Sequence, residues 1–203
     1  MDNKTRLIEQ AKALFMRLGI RSVSMDDIAT NLGMSKKTLY QLVADKDELV
    51  EQVVQLQIAQ METETHCSCE QANNAVEEIF KNMQMAASQY SKINPMVMFD
   101  LQKYHFNAFA KFTSHKNTFM LEVITNNLKR GIEEGLYRPD INIDILAKFR
   151  LESMMMSFNL DLFPPDKYNS LEVTLILIEH FLYGLTTEKG YKLVETYKKE
   201  RNK

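Results

Sequence analysis

Six glycines and four prolines in 203 residues leave this chain few obligatory breaks. Neither residue clusters as it does in turn-rich β proteins or low-complexity linkers. Tryptophan is absent, and the only cysteines are Cys67 and Cys69. Neighbours this close make poor partners for a structural disulfide, so a reducing cytosol is expected. No run of 18 apolar residues occurs, so no membrane span is read. The opening MDNKTRLIEQ lacks the apolar core of a secretory signal, and the expected location is cytoplasmic. Enzyme signatures are missing too: there is no G-x-S-x-G, no Gly-rich phosphate loop and no H-E-x-x-H. The four histidines (His66, His105, His115 and His180) have no catalytic partner in sequence. We therefore expect neither an enzyme nor a cofactor.

A large excess of either charge is also lacking. The formal net charge is -2 and the pI about 6.1, which argues against a protein that coats nucleic acid indiscriminately. A local binding face remains compatible, because distribution matters more than the total. Residues 1–50 hold 8 Lys/Arg against 7 Asp/Glu, and the remainder holds 17 against 20, the sign a DNA-binding head needs. With 45% hydrophobic and 26% charged residues the chain falls in the soluble globular range and is long enough to bury a core without staples.

What is present is helical periodicity, almost everywhere, with no convincing alternating strand. The chain reads as all-α. Leu7, Ile8, Ala11, Leu14, Phe15 and Leu18 make one stripe on a first helix, Asn3 to Leu18, ended by Gly19. Ser24 and Asp27 open a short second helix as a variant capping box, and Gly33 closes it. Ser35 caps a third helix that the pattern carries to about Val43, with Met34 and Leu39 placed as a hydrophobic staple. Asp45 and Glu48 cap a fourth, from Lys46 to about His66. Further helices are expected near 73–91, 95–112, 115–135, 142–162, 168–187 and 190–200, punctuated by stretches such as HCSCEQANN, FTSHK and LFPPDKYN. Asn142 and Asn169 are plausible caps.

The third helix carries the first functional signal. At about 100° per residue, Leu39, Leu42 and Val43 face inward while Lys37 and Gln41 form an outward crest. Tyr40 and Thr38 flank them, and Ser35 and Lys36 occupy the start. A polar ridge of this width suits the major groove, its crest toward base edges and its shoulders toward phosphates. With the preceding helix and its tight turn it makes a helix-turn-helix. A seven-residue helix with two lysines is also what an ordinary solvated surface carries; the arrangement across residues 6–49 is what gives the reading weight.

Over that stretch the chain resembles the DNA-binding head of the tetracycline repressor (TetR) family. The matching residues are Ala11, Phe15, Gly19, Ser24, Ile28, Ala29, Gly33, Ser35, Leu39, Tyr40, Lys46 and Leu49. The resemblance implies a homodimer with an all-α body that senses a small ligand and binds a double-stranded DNA operator. It implies phosphate contacts at Tyr40 and Lys46, and from the hydroxyls near Ser24 and Thr38. The chain departs from the family at Lys37, where glycine is frequent, at Gln41, where a ring is frequent, and at Leu42–Val43, where an aromatic pair is common. Lys37 and Gln41 are therefore expected to carry whatever sequence preference is individual to this chain.

On this reading residues 1–47 form the helix-turn-helix domain and residues 48–203 an effector-binding and dimerisation domain. The segment NSLEVTLILIEHFLYGLTT is apolar nearly all round, which implies burial on every side, part of it against a second subunit. The expected interface is Met155, Phe158, Leu162, Val173, Leu177, Phe181, Leu182 and Leu185. Thirteen methionines intermingle with phenylalanines, which suits ordinary core as well as a deformable lining for a lipophilic effector. The expected lining is Met98, Tyr104, His105, Phe109, Phe119, Met120, Arg150 and Met154. The alternative is a helical interaction or sensing protein that has lost DNA binding, sensing a small molecule or a soft metal at His66, Cys67 and Cys69. Side chains two apart on a helix diverge too far to share an ion, so no metal site is assigned.

Overall fold

The computed structural model describes residues 2–90 and 93–201, with the side chains of Ala86, Ser88, Gln89 and Tyr90 excepted. The helices are α1 (Asn3–Leu18), α2 (Met25–Leu32), α3 (Lys36–Tyr40), α4 (Lys46–Gln71), α5 (Ala75–Tyr90), α6 (Met96–Tyr104), α7 (Phe106–His115), α8 (Leu121–Glu133), α9 (Ile143–Met156), α10 (Ser170–Leu185) and α11 (Glu188–Arg201). No strand occurs among the described residues; a single antiparallel bridge joins Tyr137 and Thr186. The fold is all-α, as the periodicity requires. Residues 1–62 with 92–115 form one compact unit, and residues 63–91 with 116–203 form the other.

In the first unit, short helices are held by caps and one shared core. Asp2 accepts from Thr5 N at 2.7 Å and starts α1. Its stripe, Leu7, Ala11, Leu14 and Phe15, is buried with Ile28, Leu32, Leu39, Val43, Leu49 and Val50. The same core takes in Val97 and Leu101 of α6 and Ala108 of α7. Sequence periodicity had suggested one helix over 95–112. Instead the chain bends at His105 (φ -128°, ψ 66°). The buried His105 ring makes a 2.6 Å hydrogen bond to Asp47 at the start of α4, which holds the bend in place.

The second unit closes around Ala75, Val76, Phe80, Met83, Leu128, Leu136, Tyr137, Ile178, Phe181, Leu182, Leu185 and Val194. Its polar centre is Tyr137, whose hydroxyl donates toward Asn127 Oδ1 (3.1 Å) and the Ala75 carbonyl (3.2 Å). Burial pushes this phenol far above its ordinary range. Arg130 joins Glu78 (3.1 Å), Glu134 (2.7 Å) and the Ala72 carbonyl (2.8 Å) beside it.

Several boundaries differ from the sequence reading. The stretch FTSHK does not break the chain: α7 passes through a π-helical segment, Lys116–Met120, directly into α8. With no glycine or proline there, one extra residue is absorbed by a wider turn. Helix α4 continues to Gln71, so His66, Cys67 and Cys69 lie on a helix and not in a loop. Burial and the nearby Glu78 push the Cys69 thiol up to about 11, which leaves it protonated. Among the described residues no group of three metal-ligating side chains occurs, and no helix is long and apolar enough to cross a membrane. Helix α9 stops at Met156, where Asn159 Oδ1 accepts from Asp161 N and Leu162 N in a turn ahead of two prolines. The expected end of α5 at residue 91 lies outside the described residues. Asn142 and Asn169 do cap their helices.

The residues expected at a dimer face divide. Phe181, Leu182 and Leu185 belong to the core of their own unit, and Val173 is buried as well. Met155, Phe158 and Leu177 are half-buried and Leu162 is exposed. The apolar side chains turned outward on α9 and α10 are Ile145, Phe149, Met156 and Ile176.

Tyr137 packs so closely on Gly131 that a Cβ there would lie 2.0 Å from the ring. Gly131→Ala is expected to lower stability by about 1–3 kcal/mol through overpacking, read as a lower urea midpoint. An unchanged midpoint would show that the ring moves aside freely.

Candidate nucleic-acid interface

A helix of five residues cannot persist alone, so α3 depends on its ends and on one buried anchor. Gly33 takes the left-handed conformation (φ 64°), ends α2 and turns the chain. Ser35 then caps α3: its Oγ accepts from Thr38 N at 3.1 Å and lies 2.8 Å from Thr38 Oγ1. Leu39 is 0% exposed and sets the rotation of the helix. With Leu39 inward, Lys37, Tyr40 and Gln41 are exposed. The regular helix ends at Tyr40, earlier than Val43, and Gln41 is its C-cap with right-handed helical angles (φ -79°, ψ -19°). Val43 N still reaches the Leu39 carbonyl at 3.3 Å, which brings Val43 back into the core.

The expected phosphate grips differ in what they leave available. Ser24 makes a complete capping box with Asp27: Asp27 N donates to Ser24 Oγ (3.1 Å), and Ser24 N and Oγ donate to Asp27 Oδ2 (2.8 and 2.6 Å). These bonds hold the Asp27 carboxyl below its usual range. Lys36 pairs with Asp26 of α2 at 2.8 Å, both exposed, so its charge is partly compensated; the pair itself adds little stability. Lys46 is half-buried. Its ammonium donates to the Ile20 carbonyl at 2.7 Å and stands 5.9 Å from the centre of the Phe15 ring, and burial holds its pKa below the usual lysine range. Two of its three donors are not engaged by that bond. Asp45 Oδ1 accepts from Glu48 N (2.8 Å), and the returning Glu48 carboxylate accepts from Ala44 N (2.6 Å), one residue earlier than the expected box.

The eight residues expected around an effector fall into both compact units. Met98 and Phe109 pack on the core of the first. Tyr104 is 40% exposed, and its hydroxyl accepts from Arg21 at 3.1 Å; His105 is committed to Asp47. These two side chains therefore secure parts of their own unit. In the second unit Phe119 meets the His66 ring edge-on at 5.3 Å. Arg150 is buried with its guanidinium 5.6 Å from the centre of the Phe181 ring, and Met120 and Met154 are half-buried. Lys116 and Glu152 pair at 2.6 Å, setting the π segment beside α9.

Two residues that periodicity did not single out are Arg21 and Asp100. Asp100, only 3% exposed, accepts from Arg21 N at 2.9 Å. The available signal was a carboxylate on the inward face of a predicted helix, which requires a partner.

Ser24→Ala and Ser35→Ala are each expected to lower the stability of the DNA-free chain by about 0.5–2 kcal/mol, measured by urea unfolding. Equal midpoints for variants and parent would mean that these hydroxyls do not hold the helix starts.

Comparison with known proteins agrees with this geometry. Residues 7–53 match the family described as bacterial regulatory proteins, tetR family. The chain is 34% identical over 187 residues to the HTH-type transcriptional regulator YvaF of Bacillus subtilis, covering 91% of this chain and 96% of that protein. It is 23% identical over 160 residues to the HTH-type transcriptional repressor KstR2 of Mycobacterium tuberculosis, covering 77% and 80%. The KstR2 structure superposes with a TM-score of 0.61 over 92% of this chain and 96% of that one, at 20% identity. A structure of SmeT in complex with triclosan gives 0.70 over 91% and 92%, at 14% identity. The helix-turn-helix, the all-α fold and the near-full-length relative agree: the chain belongs to the TetR family of transcriptional regulators.

Proposed function

We propose that the protein is a ligand-responsive repressor that binds a palindromic operator as a homodimer and is released by a small lipophilic effector. Residues 1–47 read the DNA, and residues 48–203 dimerise and bind the effector. The observation that carries this reading is the outward face of α3, where Lys37, Tyr40 and Gln41 stand exposed around a fully buried Leu39. A Gln amide reads adenine N6/N7 bidentately, and a Lys ammonium reads guanine or phosphate. Tyr40, Thr38, Lys46 and the flanking Ser24, Ser35 and Lys36 contact the backbone.

A binding selection on random duplexes tests this. Two inverted half-sites, centred about one turn of DNA apart or a multiple of it, are expected. Gln41→Ala should lose roughly 1–3 kcal/mol of discrimination at one base pair of each half-site. Tyr40→Phe should weaken all sequences alike. An unenriched pool would reject DNA reading, and an unchanged sequence preference in Gln41→Ala would reject the assigned base contact.

Dimerisation is supported by the outward apolar side chains of α9 and α10: Ile145, Phe149 and Ile176 are 60%, 53% and 58% exposed. Apolar groups gathered on neighbouring helices of one compact unit suit a self-complementary two-fold contact. The half-buried Met155, Phe158 and Leu177 and the exposed Leu162 border them. Light scattering at micromolar concentration should give a dimer for the parent and a monomer for the Phe149→Glu, Ile176→Glu double variant. A monomeric parent would overturn the assignment.

The effector reading rests on the second unit, where Phe119, Met120 and Met154 provide a deformable apolar surface and Arg150 a buried cation. The names of two relatives point the same way: KstR2 is described as a ketosteroid regulator and SmeT is complexed with triclosan. To release DNA the ligand must bind the non-binding state more tightly.

A further inference from the structure

The turn between α1 and α2 is gripped at a single peptide bond. The carbonyl of Ile20 accepts from the Lys46 ammonium at 2.7 Å, and the N–H on the other side of that bond, Arg21 N, donates to Asp100 at 2.9 Å. A planar trans peptide points these two groups in opposite directions, so α4 and α6 hold the turn from either side. Gly19, just before it, has φ 88°, and a Cβ there would lie 3.4 Å from Asp100 Oδ2. The backbone at Arg21 is therefore fixed beside Lys46, and three residues before the Ser24 cap.

The Arg21 side chain is fixed as well, but without losing its charge. Its guanidinium donates to Tyr104 Oη at 3.1 Å and lies 5.2 Å from the centre of the same ring. Lys103 stands 5.4 Å from the ring centre. Among the described residues Arg21 forms no ion pair, in contrast to Lys36, which is paired with Asp26. The Asp100 carboxylate is engaged by the Arg21 backbone N–H. An exposed guanidinium held by a neutral phenol and a ring retains the planar donors that suit a phosphate.

Building on the DNA-binding reading above, we propose that Arg21 is a further phosphate contact of this protein, and that Tyr104 and Asp100 of α6 are the residues that position it. The chain thus has a cation at the interface that is presented only while α6 is docked on the α1–α2 turn. Part of the DNA affinity then reports directly on the placement of α6.

The test measures affinity against salt concentration for a duplex recovered from the random-DNA selection. Arg21→Gln should weaken binding about tenfold for each Arg21 engaged, the order of one charge-assisted hydrogen bond apiece. Its plot of log affinity against log salt should be shallower by about 0.9 for each Arg21 engaged. Arg21→Lys should keep the slope of the parent. Tyr104→Ala should weaken binding in the parent and have no further effect in the Arg21→Gln background, because it acts through Arg21. A Tyr104→Ala loss that persists in full in that background would overturn the positioning role. An Arg21→Gln variant with parental slope would overturn the contact, whether or not its affinity had fallen. In both cases the parent still binds the duplex, so the DNA-binding reading stands; a parent that recovers no duplex overturns both.

Discussion

The rotation of one short helix governs what this molecule presents. Helix α3 has five residues and no stability of its own, and Leu39 is its fully buried anchor. At 100° per residue the burial of that side chain leaves no freedom for the others: Lys37 and Gln41 must point away from the core. A rotation that freed Lys37 from solvent would expose Leu39 and bury an ammonium, and both changes are unfavourable. The caps at Ser24 and Ser35 and the glycine turn between α2 and α3 serve the same end, because they define where the helix begins.

Around that anchor the cations do different work. Lys36 is paired with Asp26, and Lys46 is half-buried against Phe15 and bonded to the Ile20 carbonyl. Each contributes to the shape of the interface as well as to its charge. Lys37 and Arg21 are exposed and form no ion pair among the described residues, as is also true of Lys4, Arg6 and Arg17 of α1. A net charge of -2 for the chain is therefore no obstacle to binding a polyanion, because only the local field at the contact face matters.

Much of the head was legible in the sequence because its signals are local. A capping box, a left-handed glycine and an apolar stripe each span a few residues, and α1 and α2 appear where those signals place them, as do the caps at Asn142 and Asn169 in the second unit. The bend at His105, the placement of the π segment at Lys116–Met120 and the docking of α6 on the α1–α2 turn involve partners 58, 36 and 79 residues away, as in His105–Asp47, Lys116–Glu152 and Asp100–Arg21. Periodicity cannot see such pairs. It also reports that a helix is apolar all round without saying which face its own protomer covers. Phe181, Leu182 and Leu185 are packed in the core of their own unit, whereas Ile145, Phe149 and Ile176 are outward, a division that the apolar pattern alone does not contain.

Lys37 facing DNA is the contact on which base reading depends, and lysine acetylation read by mass spectrometry tests it directly. Saturating a selected duplex should slow modification of Lys37 several-fold and leave exposed lysines of the second unit, such as Lys148 and Lys192, unaffected. Equal labelling of Lys37 with and without bound duplex would contradict it.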